Sequence, residues 1–149
     1  QGSLLLGFIE PDEIHYEKDL ENLAKRGVVY YLGSQKHVVP FIARSHATIH
    51  PSIYGESMSN VLLETASSGR PIITTDNPGC KETVKDEKTG FIYEGGNVDQ
   101  LCACIERFLA MKNSERQKMG VLGREHVKAN FSRDIVIDAY LTKIQEILG

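Results

Sequence analysis

The sequence is poor in cysteine, in proline and in long apolar runs, and each shortage excludes a class of protein. Its apolar runs are far shorter than the roughly eighteen residues of a membrane-spanning helix, so we expect no membrane span. Five prolines and thirteen glycines without low-complexity repeats exclude a collagen-like or disordered chain. The remaining composition, 149 residues of which 41% are hydrophobic, predicts one soluble globular domain.

Charge of one sign is also scarce, because 17 basic residues face 20 acidic ones and leave a formal net charge of −3. The sequence contains no local basic patch, and we therefore expect no nucleic-acid partner. Gln1-Gly2 resembles the remnant of a protease-cleavable tag. Residues 3–149 are then the predicted domain, and we expect them to be a fragment that begins inside a larger protein.

The three cysteines, Cys80, Cys102 and Cys104, are an odd number at spacings that suit neither a disulfide framework nor a zinc site. This usage fits a reducing compartment and predicts a cytoplasmic protein. Cys102 falls in an apolar helical stripe, and a two-residue offset on a helix turns side chains to different faces. We therefore interpret Cys102 and Cys104 as core thiols rather than metal ligands.

Short apolar runs alternate with longer segments of helical period, which predicts an α/β fold with a Rossmann-like parallel sheet and helices on both faces. The predicted strands are residues 4–9, 28–32, 47–50, 71–75 and 90–93, and helices are expected within residues 12–26, 38–44 and 60–68. Gly27 and Gly69 stand where helix C-caps belong. Three further helices should follow, and two apolar stripes should pack them: Val98, Leu101, Cys102, Ile105, Phe108 and Leu109, then Ile137, Leu141, Ile144 and Leu148.

One segment, residues 50–64, combines features that suit a phosphate ligand. A predicted strand ends at His50, a turn follows, and a helix begins near Ser59 or Asn60, either of which can cap it. In open α/β sheets, ligands bind at this carboxyl edge of the strands. Unpaired amides of Ser59, Asn60 and Val61, with the positive end of the helix dipole behind them, are expected to face a phosphate group.

Two carboxylates frame the start of this helix, Glu56 before it and Glu64 one turn inside. If Glu56 lies in the loop, both can face one cleft, where hydrogen-bond acceptors suit a ligand rich in hydroxyl groups. Spacing alone leaves a second interpretation open. In that interpretation Glu64 only complements the helix dipole and Glu56 is a solvated loop charge.

The segment from Tyr54 to Glu64 is similar to the Glu-x7-Glu motif of the GT4-type, or group 1, retaining glycosyltransferases, whose fold is GT-B. Further blocks follow in the family's order. They are a strand and short helix at residues 28–42, a Pro-Ser strand end at 47–52, a Gly-x-Pro strand at 69–76, a turn and strand at 79–91, and Phe131-Ser132 before the last helix. The resemblance covers nearly all of residues 4–148 and implies the C-terminal, donor-binding half of a GT-B fold.

The resemblance implies a role for each part of the motif. Glu56 would face the donor sugar as the catalytic carboxylate, Glu64 would hold the ribose hydroxyls, amides near residues 58–60 would approach the diphosphate, and main-chain groups of residues 32–35 would hold the base. The donor-binding residues implied are Gly33, Ser34, Gln35, Met58, Ser59, Asn60 and Glu64. No residue is placed as an evident covalent nucleophile. Since family members mostly work without metal, we expect no metal and no cofactor besides a UDP- or GDP-linked donor substrate.

The implied function is transfer of a sugar from this donor to a hydroxyl acceptor with retention at the anomeric carbon, in polysaccharide or lipopolysaccharide biosynthesis. The acceptor, a glycan or lipid-linked glycan, would bind an N-terminal domain that precedes this segment in the family. The full-length protein is expected in the cytoplasm, and a peripheral position at the inner face of the cell membrane stays open.

The sequence departs from the family pattern in two places. Ser57 replaces a common glycine, which is a mild change. The basic pair that grips the donor diphosphate and the first strand of the domain would lie before Leu4, so they are expected to be missing. We therefore expect a gap in the sheet or a partner chain that fills it, and no transferase activity from this chain alone.

Two other functions stay open from sequence. A non-catalytic nucleotide-binding or receiver-like regulatory module would share the layering, although a receiver needs a phosphoacceptor Asp where this strand ends at His50. Self-association through the sheet gap would instead make the chain an interaction domain.

The remaining polar candidates carry weaker expectations. His50, at a strand end beside the motif, is a better candidate for lining the cleft than His37, His46 and His126, for which surface or packing roles are favoured. Glu82 is expected to pair with a local amide or base rather than to do chemistry.

Overall fold

The computed structural model describes residues 3–5, 14–55 and 57–148. The chain divides into two compact units, Gln1–Val38 and Val39–Gly149, each with a parallel sheet of its own. The predicted α/β class with parallel strands is confirmed. The predicted absence of a first strand, and the sheet gap that would follow from it, stay predictions.

The first unit contains β1 (Ser3–Leu5), α1 (Ile14–Lys25) and β2 (Val29–Tyr31). β1 and β2 pair in parallel with Leu4 opposite Tyr30. Gly27 has a φ of 68°, and the next amide, that of Val28, donates to the Leu23 carbonyl at 3.0 Å. This left-handed closing turn confirms the predicted C-cap of α1. Residues 6–9 of the first predicted strand lie outside the described residues.

The second unit is built on β3 (Thr48–His50), β4 (Ile72–Thr75) and β5 (Gly90–Tyr93), with β4 in the centre. Ile73 of β4 lies opposite Ile49 on one side and Phe91 on the other. Because the three strands are parallel, their carboxyl ends meet at one edge of the sheet. The segment that we predict to bind phosphate begins at this edge.

The helices of the second unit are α2 (Val39–Arg44), α3 (Asn60–Ser67), α4 (Val98–Ala110), α5 (Asn113–Phe131) and α6 (Arg133–Leu148), with a short 3-10 helix at Lys81–Thr83. The three helices expected after the last strand are therefore present. Among the described residues, no helix combines the length and the apolar character that crossing a membrane requires.

All four residues of β4 are buried. Since neighbouring side chains of a strand point to opposite sides, β4 is covered on both faces. Ile72 packs with residues of α3 and α5, and Ile73 packs with residues of β5, α4 and α5. Helices therefore cover both faces of this unit's sheet. The two buried clusters are Leu62, Ala66, Ile72, Cys80, Val84 and Val127, and Ile73, Phe91, Tyr93, Cys104, Phe108 and Met119.

α5 crosses the end of α3 at a pair of glycines. Gly69 closes α3 with a φ of 67°, which confirms the second predicted C-cap. A Cβ atom on Gly120 would lie 2.0 Å from the Gly69 carbonyl oxygen. Only glycine therefore allows α5 to approach α3 this closely.

The buried face of α4 differs from the predicted stripe. Cys104 is buried, whereas Cys102 is exposed, so the interpretation of Cys102 as a core thiol is wrong and that of Cys104 is confirmed. The covered positions are Leu101, Cys104, Ile105 and Phe108, at i, i+3, i+4 and i+7. Val98 and Leu109, at the ends of the predicted stripe, are exposed. Burial raises the pKa of the Cys104 thiol, although Arg107 acts in the opposite direction. The raised pKa favours the protonated thiol, as suits a packing group.

α6 has no buried residue in the part of the chain that the structure describes. Its predicted packing stripe, Ile137, Leu141, Ile144 and Leu148, is 46% to 80% exposed. The prediction that this stripe packs against the rest of the chain is therefore wrong for the described residues. The helical period of α6 is as predicted, and only its burial differs.

Candidate functional site

The predicted phosphate-binding segment leaves β3 through an exposed loop and enters α3. The loop begins at Ser52, whose carbonyl oxygen accepts two hydrogen bonds, from Thr75 Oγ1 at 2.8 Å and from Asn77 Nδ2 at 2.7 Å. Both donors lie at or just beyond the end of β4. The entry to the loop is therefore fixed to the central strand, while Ile53 and Tyr54 beyond it are exposed.

The end of the loop is fixed to the turn that follows β4. The Ser59 amide donates to the Gly79 carbonyl at 3.1 Å, and the Gly79 amide donates to Glu82 Oε2 at 2.8 Å. The predicted pairing of Glu82 with a local amide is confirmed. The prediction that the Ser59 amide is unpaired is wrong, because the Gly79 carbonyl already accepts its hydrogen.

His50 lies beside this anchor rather than apart from it. Its Nε2 is 3.4 Å from the hydroxyl oxygen of Ser59, a residue that is only 2% exposed. Ser59 takes the predicted N-cap position of α3, although its hydroxyl makes no capping bond. The hydroxyl faces the half-buried His50 instead, so both residues belong to the frame of the loop.

The first turn of α3 leaves amides without helical acceptors. The first bond of this helix end joins the Leu63 amide to the Ser59 carbonyl at 3.2 Å, so the three amides between them have none. Leu62 is fully buried, whereas Asn60 is exposed and Val61 partly so. Asn60 and Val61 therefore provide the amides that a ligand can reach, one residue fewer than predicted.

Asn60 and Glu64 lie one turn apart on the exposed face of α3, since positions i and i+4 of a helix are neighbours. The opposite face, with Leu62, Thr65 and Ala66, is buried. The Thr65 hydroxyl satisfies itself by donating to the Val61 carbonyl at 2.7 Å. The arrangement presents an exposed carboxylate one turn inside a helix start that favours negative ligands.

Of two other predicted site residues, Met58 and Glu56, the structure describes only Met58. Met58 is partly buried just before the Ser59 anchor. Glu56 lies outside the described residues, so its placement in the loop and its role stay predictions.

The residues predicted to hold a base belong to the first unit, where they form an irregular loop directly after β2. Gly33 has a φ of 63°, and Gln35 Nε2 donates to the Leu32 carbonyl at 2.6 Å. Ser34 is exposed at the tip. The Gln35 side chain thus bonds within its own loop, and the role of this loop in binding stays a prediction.

The turn after β4 also holds the loop in place, although the motif does not include it. Asn77 holds the loop on one side through Ser52, and Asp76 Oδ1 accepts the Gly95 amide of the loop after β5 at 3.0 Å. A Cβ on Gly95 would lie 3.3 Å from the Asn77 side chain. Asp-Asn-Pro-Gly directly after an apolar run is a turn signal at a strand end, and it could have located these residues.

The described residues contain no group of three or more His, Cys, Asp or Glu side chains that could hold a metal ion. Around the candidate site, the described residues offer the amides at the start of α3, the exposed carboxylate of Glu64, and hydroxyl-to-carbonyl anchors. Such a set can bind an anion and hydroxyl groups.

Comparison with known proteins extends this description. Residues 4–126 match the family model described as glycosyl transferases, group 1. The lipopolysaccharide core biosynthesis glycosyltransferase LpsE of Rhizobium meliloti (strain 1021) is 30% identical over 132 residues, which are 89% of this chain and 38% of LpsE.

Two crystal structures share the fold. HepE of Anabaena, in complex with UDP-glucose, superposes with a TM-score of 0.83 at 18% identity. The superposition covers 97% of this chain and 41% of the HepE chain. The C-terminal domain of a group 1 glycosyl transferase family protein, LpcC of Francisella tularensis, superposes with a TM-score of 0.74 at 18% identity over 89% of this chain and 70% of its own. The chain thus spans well under half the length of LpsE and of HepE, and its architecture is that of the C-terminal half of such proteins.

Proposed function

Because the chain belongs to the group 1 family of glycosyltransferases, we propose that it is the donor-binding domain of a retaining enzyme. In this proposal the full-length protein transfers a hexose from a UDP- or GDP-linked sugar to a hydroxyl acceptor. The observation that carries the proposal is the exposed start of α3, where accessible amides of Asn60 and Val61 lie within one turn of the Glu64 carboxylate.

The proposed ligand of the helix start is the donor diphosphate. Amides at a helix N-terminus carry partial positive charge and favour phosphate oxygens. Negative charge grows on the diphosphate as its bond to the sugar breaks, and donors that are already in place stabilise that charge without reorganising. The anchors at Ser52 and Ser59 supply this rigidity, because both loop ends are bonded to the turn after β4.

The proposed role of Glu64 is to accept hydrogen bonds from the ribose hydroxyls. An ionised carboxylate has only acceptor sites, which suits a pair of neighbouring hydroxyl groups. The base would contact the loop at Gly33, Ser34 and Gln35, and Glu56 would face the donor sugar. We propose that sugar transfer needs no metal ion and no cofactor besides the donor substrate.

Relatives support the biosynthetic context of this proposal. LpsE is named for lipopolysaccharide core biosynthesis, and the HepE crystals contain UDP-glucose. We propose that a glycan or lipid-linked glycan acceptor binds in the part of such proteins that this chain does not span, that the full-length protein works in the cytoplasm, and that this chain alone has no transferase activity. A receiver-like regulator has less support, because β3 ends at His50 rather than at an Asp.

The proposal is tested by titrating the chain with UDP and GDP while recording backbone amide chemical shifts. We expect changes confined to residues 33–36 and 58–64. Glu64→Gln should weaken UDP binding about tenfold, because hydrogen bonds to charged groups contribute about 1.5–3 kcal/mol. Glu56→Gln should change the affinity for UDP less than about twofold, since UDP contains no sugar beyond the ribose.

Glu125→Gln is the matched control, because Glu125 is an exposed carboxylate on α5. It should leave the affinity for UDP unchanged. Equal losses in the Glu64 and Glu56 variants would contradict the assignment of Glu64 to the ribose. The absence of any shift at millimolar nucleotide would contradict donor binding as a whole.

A further inference from the structure

The anchor at Ser59 depends on a turn that is itself held from outside the site. The Gly79 carbonyl accepts from the Ser59 amide, and the Gly79 amide donates to the Glu82 carboxylate. Glu82 is exposed, and its main-chain carbonyl is bonded in turn by His126 of α5, whose Nε2 lies 3.0 Å from that oxygen. Three hydrogen bonds, linked through the covalent structure of Glu82 and Gly79, thus connect α5 to the start of α3.

The geometry around His126 fixes which ring nitrogen carries the hydrogen. A carbonyl oxygen can only accept, so Nε2 must donate to Glu82. The other ring nitrogen, Nδ1, lies 3.1 Å from Asn130 Nδ2, which also donates to the His126 carbonyl at 2.7 Å. That second bond orients the Asn130 amide with its donor toward the ring, so Nδ1 must accept. These contacts assign a hydrogen to Nε2, in the bond to the Glu82 carbonyl, and an acceptor role to Nδ1.

The ring is also fixed by packing. The Phe131 ring meets the His126 ring edge to face, with centroids 5.8 Å apart. The next residue of α5, Val127, is 4% exposed and belongs to the buried cluster that contains Cys80 and Val84. Val127 thus provides non-directional contact with the turn after β4, whereas His126 provides a bond to one defined atom of it.

We propose that His126 is a positioning residue for the start of α3. By holding the Glu82 carbonyl, it fixes the turn whose Gly79 carbonyl orients the Ser59 amide, and with it the direction of the neighbouring Asn60 and Val61 amides. Its effect on nucleotide affinity rests on the proposed function. Its effect on the Ser59 amide does not, so the two can fail separately.

The test compares His126→Ala with His126→Gln, whose side-chain amide can donate from near the place of Nε2. In His126→Ala we expect the Ser59 amide to shift and to exchange with solvent faster relative to the amides of β4, and UDP to bind about fivefold more weakly, as loss of one hydrogen bond predicts. His126→Gln should restore both within about twofold. In the unsubstituted chain, ring nitrogen shifts should show Nδ1 without a hydrogen.

His46→Ala is the control, because His46 is an exposed histidine of the same unit, and it should change none of these quantities. A role in global stability alone would speed exchange at Ser59 and in β4 by the same factor, and that result would overturn the proposal. A hydrogen on Nδ1, or an unchanged Ser59 amide in His126→Ala, would also overturn it. If the Ser59 amide responds while UDP binds none of the variants, the positioning role stands and the proposed function fails.

Discussion

β4 buries polar side chains, whereas α6 exposes apolar ones. The two hydroxyl side chains of β4, Thr74 and Thr75, are fully buried. Along α6, eight large apolar side chains are exposed by 42% to 80%: Ile135, Val136, Ile137, Tyr140, Leu141, Ile144, Ile147 and Leu148. Burial in this chain therefore follows the position of an element in the fold more closely than its polarity.

The buried hydroxyls of β4 are tolerated because each has a carbonyl partner. Thr74 Oγ1 donates to the His50 carbonyl at 3.0 Å, and Thr75 Oγ1 donates to that of Ser52 at 2.8 Å. A buried hydroxyl without a partner would cost about 1–3 kcal/mol. As the central strand, β4 thus uses its polar side chains to fix the backbone from which the candidate site is built.

The largest expected effect separates the core next to β4 from α6. Leu62 is fully buried in the cluster that contains Ile72, whereas Leu141 of α6 is 52% exposed. Leu62→Ala should lower the free energy of unfolding by about 2–5 kcal/mol, because it removes buried methyl groups and leaves a cavity. Leu141→Ala should change it by less than about 0.5 kcal/mol.

Urea unfolding of the two variants and the unsubstituted chain measures both changes. A loss of several kcal/mol in Leu141→Ala would break the comparison, because α6 would then be packed in solution.

A second test concerns how closely the helices approach around this core. Gly120 and Gly123 both lie inside α5, but a Cβ on Gly120 would meet the Gly69 carbonyl at 2.0 Å, whereas one on Gly123 would meet Thr89 at an ordinary 3.7 Å. Gly120→Ala should destabilise the chain by about 1–3 kcal/mol through overpacking. Gly123→Ala should be neutral or stabilising by up to about 1 kcal/mol, because alanine favours the helix.

Thermal unfolding of both variants gives the sign of each change. Equal stabilisation by the two substitutions would show that α5 does not press against the end of α3. Glycine content alone cannot distinguish these two positions, since the difference arises from the neighbour that each one meets.

The sequence predicted the regular elements well, because apolar runs, helical periods and the two capping glycines are local signals. Burial was harder to predict. The apolar pattern places the stripe of α4 on Cys102 instead of Cys104 and predicts that the stripe of α6 packs, since periodicity identifies a face but not the element that covers it.

The candidate site was predictable to a similar extent. The segment, the helix start and the exposed Glu64 follow from local pattern. The pairing of the Ser59 amide with Gly79 does not, because it joins residues that the fold brings together from separate segments. The resemblance to a family located the motif, but it assigned no contact to Asp76, Asn77 or His126.

The smallest expected effect concerns the hydroxyls themselves. Thr75→Val keeps the shape of a buried side chain and removes one of two donors to the Ser52 carbonyl, while Asn77 Nδ2 still donates at 2.7 Å. The carbonyl stays satisfied, so we expect a loss of only about 1 kcal/mol in the free energy of unfolding. The matched control is Thr142→Val on α6, where the exposed threonine should tolerate the change within about 0.5 kcal/mol.

A double variant, Thr75→Val with Asn77→Ala, should lose more than the sum of the two single changes, because the buried carbonyl would then have neither donor. Strict additivity in urea unfolding would mean that the two donors do not share this role, and the anchor of the loop would then have to lie at Ser59 alone.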